Sequence, residues 1–210
     1  SCAILVLRFA AVESKCIFTK MASMHKIYYL LFTFSLFSCI QKHYDQPHII
    51  IDTEYGDIEA ELYPDKAPKT VAAFLKNVED GVYEDASFYR VIKNPDLDEQ
   101  YNTGLIQGGI IQSKPATQQA LPKIPHESPR QTGLTHESGV LSFARTTAGS
   151  ASTEFFICIG SQKQFDSSAA FGNRDGLGYA AFGKVLEGMK VVRKIQNLKS
   201  SGDAFQYPIR

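Results

Sequence analysis

The sequence predicts a mostly-β fold, a largely antiparallel sheet closed on itself and accompanied by two helices. Three observations predict it. Short runs rich in Ile, Val, Phe and Tyr recur about eight times, separated by Gly, Pro and polar residues. One of them, Ile58 to Tyr63, alternates strictly: Ile58, Ala60 and Leu62 share one face, Asp57, Glu59 and Glu61 the other. That is a strand with one solvated side. Only two stretches carry helical spacing, and several strands separate them. A sheet of that many short strands leaves exposed edges unless it closes.

The chain has 210 residues, 44% apolar and 21% charged, and the formal charge is zero. That is ordinary globular composition for one domain. From Cys39 onward 18 Lys+Arg face 21 Asp+Glu, a balance of −3. No basic cluster stands out, so nucleic acid is not an expected partner.

The N-terminal region reads as processing signal rather than fold. After Met24, His25 and Lys26 make a short basic flank, and Ile27 to Phe37 is apolar. A run of that length is too short to span a bilayer and suits a signal-peptide core. A buried apolar helix is the other reading. Leu36-Phe37-Ser38-Cys39 resembles a bacterial lipobox, which implies diacylglyceryl attachment at Cys39 and cleavage before it. The expected organisation is therefore an upstream segment of doubtful status over 1–23, a lipoprotein-type signal peptide over 24–38, a tether over 39–47 and a domain over 48–210. Of the four cysteines, Cys2 and Cys16 fall before the cleavage point. A lipidated Cys39 leaves Cys158 with no disulfide partner. Cys158, among Phe and Ile, is expected to be an inert core thiol.

Within the domain, His48 to Glu54 and Ile58 to Tyr63 form a hairpin about Tyr55-Gly56-Asp57. Pro64 to Pro68 ends the strand and opens a helix, with Pro68 in its first turn. Val71, Phe74, Leu75 and Val78 then make one apolar stripe, and Gly81 fits the residue just past the helix end. Further strands are Phe88 to Ile92, Gly104 to Gly109, Val140 to Ala144, Glu154 to Ile159 and Ala180 to Leu186. Ser113 to Ser138 is expected as a long polar connection, and Gln162 to Tyr179 as a Gly-rich insertion. A second helix begins at Gly188-Met189 and carries Val192 and Ile195. Pro208-Ile209-Arg210 starts one more strand, which the chain is expected to leave incomplete.

The chemistry-bearing residues point away from hydrolysis and metals. His126-Glu127 and His136-Glu137 invite a metal reading, but their spacing matches no ligand motif and neither pair lies on a predicted helix. Glycines from Gly172 to Gly178 lack the following helix that a phosphate loop needs. Arg90 is the anomaly, an arginine inside an apolar strand. It is costly to bury without a partner. Either it lies at a strand edge with its head in water, or it is aimed into a cleft with Gln107 beside it.

Five blocks in order decide between these: FYRVI from Phe88, IQGG from Ile106, GVLSFAR from Gly139, EFFICIG from Glu154, and AFGKVLEGMKVV from Ala181. Together they resemble the cyclophilin family of peptidyl-prolyl isomerases, over about Ile49 to Asn197. The resemblance implies a closed eight-stranded antiparallel barrel capped by two α-helices, with substrate bound outside a filled interior. It implies that Arg90 is the catalytic arginine, that Gln107 holds the substrate backbone, and that Phe156 and Leu105 wall the proline pocket, which Phe165 completes. Ala144 and Arg145 match the peptide groove, and Glu154 and Tyr179 match further substrate-facing positions.

Several positions depart from the family pattern. Gly104 stands where phenylalanine is common, Arg145 where asparagine is, Glu154 where glutamine is, and Tyr179 where histidine is. Gln164 falls near a common tryptophan, which predicts weak binding of cyclosporin-type drugs. The expected function is isomerisation of X–Pro bonds in unfolded exported proteins by a monomer. It would be held in the bacterial cell envelope, facing the periplasm or in the outer membrane, through lipid on Cys39. No cofactor or metal is expected. A proline-peptide-binding module or chaperone with little turnover is the alternative.

Overall fold

The computed structural model describes residues 7–8, 44–94, 96–98, 100–167 and 175–210. The chain divides into one unit of residues 1–10 and 46–210 and a second of residues 11–45. Cys39 and the leader over 24–38 lie outside the described residues, so lipidation at Cys39 stays an expectation.

The strands are β1 (Leu7–Arg8), β2 (His48–Thr53), β3 (Gly56–Leu62), β4 (Ser87–Ile92), β5 (Gly104–Gly109), β6 (Val140–Phe143), β7 (Phe155–Ile159), β8 (Ala180–Glu187), β9 (Ser200–Ser201) and β10 (Ala204–Ile209). Every pairing is antiparallel, in the order β1-β2-β3-β8-β6-β7-β5-β4-β10-β9. The expectation of a closed eight-stranded barrel is therefore corrected. Among the described residues the sheet is an open ladder of ten strands, two of them only two residues long. Its ends are capped differently from a closed barrel. The outer edge of β2 pairs with β1, and that of β10 pairs with β9. Strand β10 also slips register against β4 between Ala204 and Ile209, and its Pro208 has no N–H to give. A backbone hydrogen bond of 2.8 Å from Glu54 N–H to the Arg210 carbonyl links the first long hairpin to the last strand.

The main helices stand where the periodicity predicts them. Helix α1 (Pro68–Glu79) buries Val71, Phe74 and Val78, and Gly81 past its end has φ 68°. Its first turn has no local side-chain cap. Glu127 supplies one from another loop: its carboxylate accepts from Thr70 N–H at 2.7 Å and Thr70 Oγ1 at 2.6 Å. Helix α2 (Pro115–Ala120) and helix α3 (Pro129–Thr132) lie inside the expected long connection, each opening on proline. Both are too short to show a helical period. Helix α4 (Met189–Gln196) buries Val192 and Ile195, and its Gln196 Nε2 donates to the carbonyls of Ile92 and Thr103.

Alternation along β7 divides the apolar residues into two sets. Phe155, Ile157 and Ile159 join the main core, where Phe74 of α1 lies 4.9 Å from Phe182 and 5.8 Å from Phe155. Phe156 and Cys158 point the other way and join Leu105 in a separate cluster. The inner face is thus filled by side chains, and the second cluster lines an external cleft.

Candidate active site

The cleft measures about 560 Å³. Arg90, Leu105, Gln107, Ala144, Arg145, Glu154, Phe156, Phe165 and Tyr179, the nine residues singled out from the sequence, all line it. They come from three strands (β4, β5 and β7) and from the β6–β7 and β7–β8 connections, and each is placed by a local feature of its own segment.

Arg90 owes its aim to an irregularity in β4. Phe88 pairs with Gly108 and Arg90 with Gln107, so two residues step along β4 where β5 advances one. Tyr89 is the extra residue of this bulge. In a regular strand Tyr89 and Arg90 would face opposite sides. Here both reach the Gln107 amide. Arg90 Nη1 donates to Gln107 Oε1 at 3.1 Å, and Gln107 Nε2 donates to Tyr89 Oη at 2.8 Å. Arg90 is neither buried alone nor free in water: Nη2 donates to Asp203 Oδ2 at 3.2 Å.

Glu154 is only 7% exposed, and its oxygens are occupied. Oε1 accepts from the N–H groups of Ile110 and Ile111 and from Thr153 Oγ1, each at 3.0 Å. Oε2 accepts from Tyr89 Oη at 2.7 Å. Burial raises the carboxyl above its ordinary range, against the pull of those four donors. Burial and the Glu154 charge likewise raise the Tyr89 phenol, so Tyr89 stays protonated and able to donate.

The apolar end of the cleft is aromatic. Phe156, Phe165 and Tyr179 pack edge to face, with centroids 5.2–5.5 Å apart. Leu105 and Ala144 complete the cluster. Behind it, His136 stacks on Phe156 at 6.0 Å, with Nδ1 2.8 Å from Asp166 and Nε2 3.0 Å from Ser142 Oγ. Burial lowers the His136 pKa against the Asp166 hydrogen bond. The Ser–His–Asp line has hydrolytic spacing, but Ser142 is fully buried and no substrate can reach it. Its effect is to hold Phe156 and the Lys163–Phe165 turn in place. Burial also pushes the Cys158 thiol up, which keeps it inert.

Arg145 lines the cleft, and its guanidinium is held by the insertion. It donates to both carboxylate oxygens of Asp175, at 2.6 and 2.9 Å, and lies 5.1 Å over the Tyr179 ring. This fixes the end of the insertion against the cleft and holds Asp175 well below the usual carboxylate range.

At Gly104, φ is 135° and an added Cβ would lie 2.0 Å from the Ile92 carbonyl oxygen. No side chain fits this backbone, so the pocket wall carries no aromatic ring there. Gln164 is exposed and bonds Gln162 rather than lining the cleft. Sequence reading passed over Tyr89, Asp203, Asp166 and Ser142. The adjacent pair Tyr89-Arg90 carried a signal only if the bulge had been foreseen.

A donor arginine, an amide and an aromatic pocket on the outside of a filled antiparallel sheet agree with a family match. The model of the cyclophilin type peptidyl-prolyl cis-trans isomerase/CLD family covers residues 48–210. The chain belongs to the cyclophilin family. It is 35% identical over 150 residues to a peptidyl-prolyl cis-trans isomerase of Acinetobacter baylyi, spanning 71% of each chain. It is 34% identical to peptidyl-prolyl cis-trans isomerase B of Escherichia coli, spanning 71% of this chain and 84% of that one. A solved cyclophilin type isomerase of Cryptosporidium parvum, crystallised in the presence of the dipeptide Ala-Pro, shares the fold. It has a TM-score of 0.58 and 23% identity, over 77% of this chain and 93% of that one.

Proposed function

We propose that this cyclophilin catalyses cis–trans isomerisation of X–Pro bonds, that its clients are exported proteins, and that lipid on Cys39 holds it in a bacterial cell envelope. Turning the bond breaks nothing covalent. The obstacle is amide resonance, ~18–20 kcal/mol, which makes the uncatalysed step take ~10–100 s. Catalysis therefore requires tighter binding of the twisted bond than of either planar form. Twisting localises a lone pair on the proline nitrogen. A guanidinium suits it because it is always charged and always a donor.

The arrangement that carries the reading is Arg90, pinned by Gln107 on one side and Asp203 on the other, at the mouth of the Phe156–Phe165–Tyr179 pocket. The pocket takes the proline ring, Gln107 and the Ala144 backbone hold the flanking peptide, and the Arg90 guanidinium meets the nitrogen as conjugation is lost. No proton transfer, nucleophile or metal enters. The envelope part of the proposal rests on the sequence alone, on Leu36-Phe37-Ser38-Cys39 behind the short apolar run.

Isomerase turnover on a short X–Pro peptide tests the reading. Arg90→Ala is expected to lose ~10²–10³-fold in kcat, as when one oxyanion donor is removed (~2.7–4 kcal/mol), with peptide affinity kept. Arg90→Lys stays clearly impaired, because it keeps the charge and loses the planar fork. Activity that survives Arg90→Ala overturns the mechanism. Wild type that binds peptide without turnover would instead be a proline-peptide-binding module. For the anchor, wild type is expected to label with palmitate, and Cys39→Ala to remain unlabelled and soluble or unprocessed. Soluble, unlabelled wild type removes the lipoprotein reading.

A further inference from the structure

We infer that Glu154 is not a substrate-binding residue but the positioning residue that sets the direction of the hydrogen-bond chain ending on Arg90. The inference rests on the assignment of Arg90 and Gln107 to the reaction.

The chain is continuous. Glu154 Oε2 accepts from Tyr89 Oη, Tyr89 Oη accepts from Gln107 Nε2, and Gln107 Oε1 accepts from Arg90 Nη1. Each link forces the next. A carboxylate only accepts, so the Tyr89 hydroxyl must spend its one hydrogen on Glu154. What it can offer Gln107 is then a lone pair, which selects the amide's nitrogen end. The oxygen end is thereby turned to Arg90, whose nitrogens only donate. A carboxamide reads almost the same from either end, and nothing in its own shape chooses between them. The choice is made two residues away by a charge.

Glu154 itself is held too firmly to turn toward a peptide. Three donors fix Oε1, and Gly109 packs so closely that an added Cβ would meet the carboxylate at under 3 Å. The site is thus oriented from behind, by a buried anion just before β7 acting through the extra residue of the β4 bulge.

Glu154→Gln tests this with almost no change of shape. The new amide can keep its oxygen on the Ile110 and Ile111 N–H groups, but it presents N–H to Tyr89. The Tyr89 hydrogen must then turn to Gln107, the Gln107 amide turns over, and its nitrogen faces Arg90. The expected results are a roughly tenfold fall in kcat with the larger share of the loss in kcat rather than KM, and displaced side-chain amide signals of Gln107 in a folded protein. Tyr89→Phe cuts the chain while leaving the carboxylate and its loop intact, and it should shift the same signals. Once it is in place, Glu154→Gln should cost little more, so the double-mutant cycle is strongly non-additive. Wild-type kcat and unmoved Gln107 signals in Glu154→Gln, or fully additive losses, overturn the inference. If Glu154→Gln does not fold, Tyr89→Phe with unchanged kcat and Gln107 signals overturns it as well. Arg90→Ala separates the two levels. If that variant keeps its activity, the assignment of the site falls. If it loses activity while Glu154→Gln does not, only the role of Glu154 falls.

Discussion

Arg90 and Asp203 form an ion pair at 3.2 Å across the mouth of the cleft, although 113 residues separate them in the chain. Strand β10 lies beside β4, and the Asp203 carbonyl also accepts from Val91 N–H at 2.8 Å. The C-terminal hairpin therefore holds Arg90 from the side opposite Gln107.

That pair is exposed, with 43% and 64% of the two side chains in contact with water. Exposed pairs contribute little, ~0–1 kcal/mol, and salt screens them. Asp203→Asn is therefore expected to melt within a few degrees of wild type. It should lose far less turnover than Arg90→Ala, because Gln107 still pins the guanidinium. Thermal melts and peptide turnover check this. A loss in Asp203→Asn as large as that in Arg90→Ala would make the hairpin, not Gln107, the principal support of Arg90.

Phe156 serves two structures at once. It is 2% exposed, it forms one wall of the pocket, and His136 stacks behind it. Phe156→Ala should weaken proline-peptide binding and lower stability by ~3–5 kcal/mol. Denaturant unfolding and peptide titration measure the two effects. Full peptide affinity in the folded variant would place the pocket elsewhere.

Gly104 is required by geometry rather than by chemistry. Gly104→Ala would put a Cβ against the Ile92 carbonyl and hold alanine at a positive φ. Strain and overpacking together should cost ~2–6 kcal/mol. A variant as stable as wild type would mean that the start of β5 relaxes freely.

His136 should make the fold acid-sensitive. Burial lowers its folded pKa below the ordinary value of about 6.5. Between those two values the unfolded chain binds a proton that the folded chain refuses. Stability from this group is therefore present above about pH 6.5 and is lost as pH falls below it. The expected result is a melting temperature that drops from pH 7.5 to 5.5 more steeply in wild type than in His136→Gln, which cannot titrate. Equal slopes would show that His136 contributes none of the acid sensitivity.

Much of this protein is local pattern and can be read from its residues alone. Strict alternation over Ile58 to Leu62 and the i, i+3, i+4, i+7 stripe from Val71 to Val78 place a strand and a helix, because side chains leave those elements at fixed periods. The same alternation in β7 separates Phe155 from Phe156, and so the core from the cleft. Where local pattern is weak, sequence reading misplaced the element: the last strand is expected to start at Pro208 and stay incomplete, whereas β10 runs over Ala204–Ile209. Strand β10 buries only Phe205 and Ile209, and β9 is two serines, so the hairpin carrying Asp203 shows little alternation. The closed barrel expected from the family resemblance became an open ladder, because strand edges pair with whatever backbone reaches them. Only the tertiary structure decided how the site is oriented. One extra residue in the pairing of β4 with β5 brings Tyr89 and Arg90 to a single amide, and a buried carboxylate just before β7 selects which end of that amide each one meets. Period and propensity belong to a strand by itself, whereas a bulge and the direction of a hydrogen bond exist only between strands.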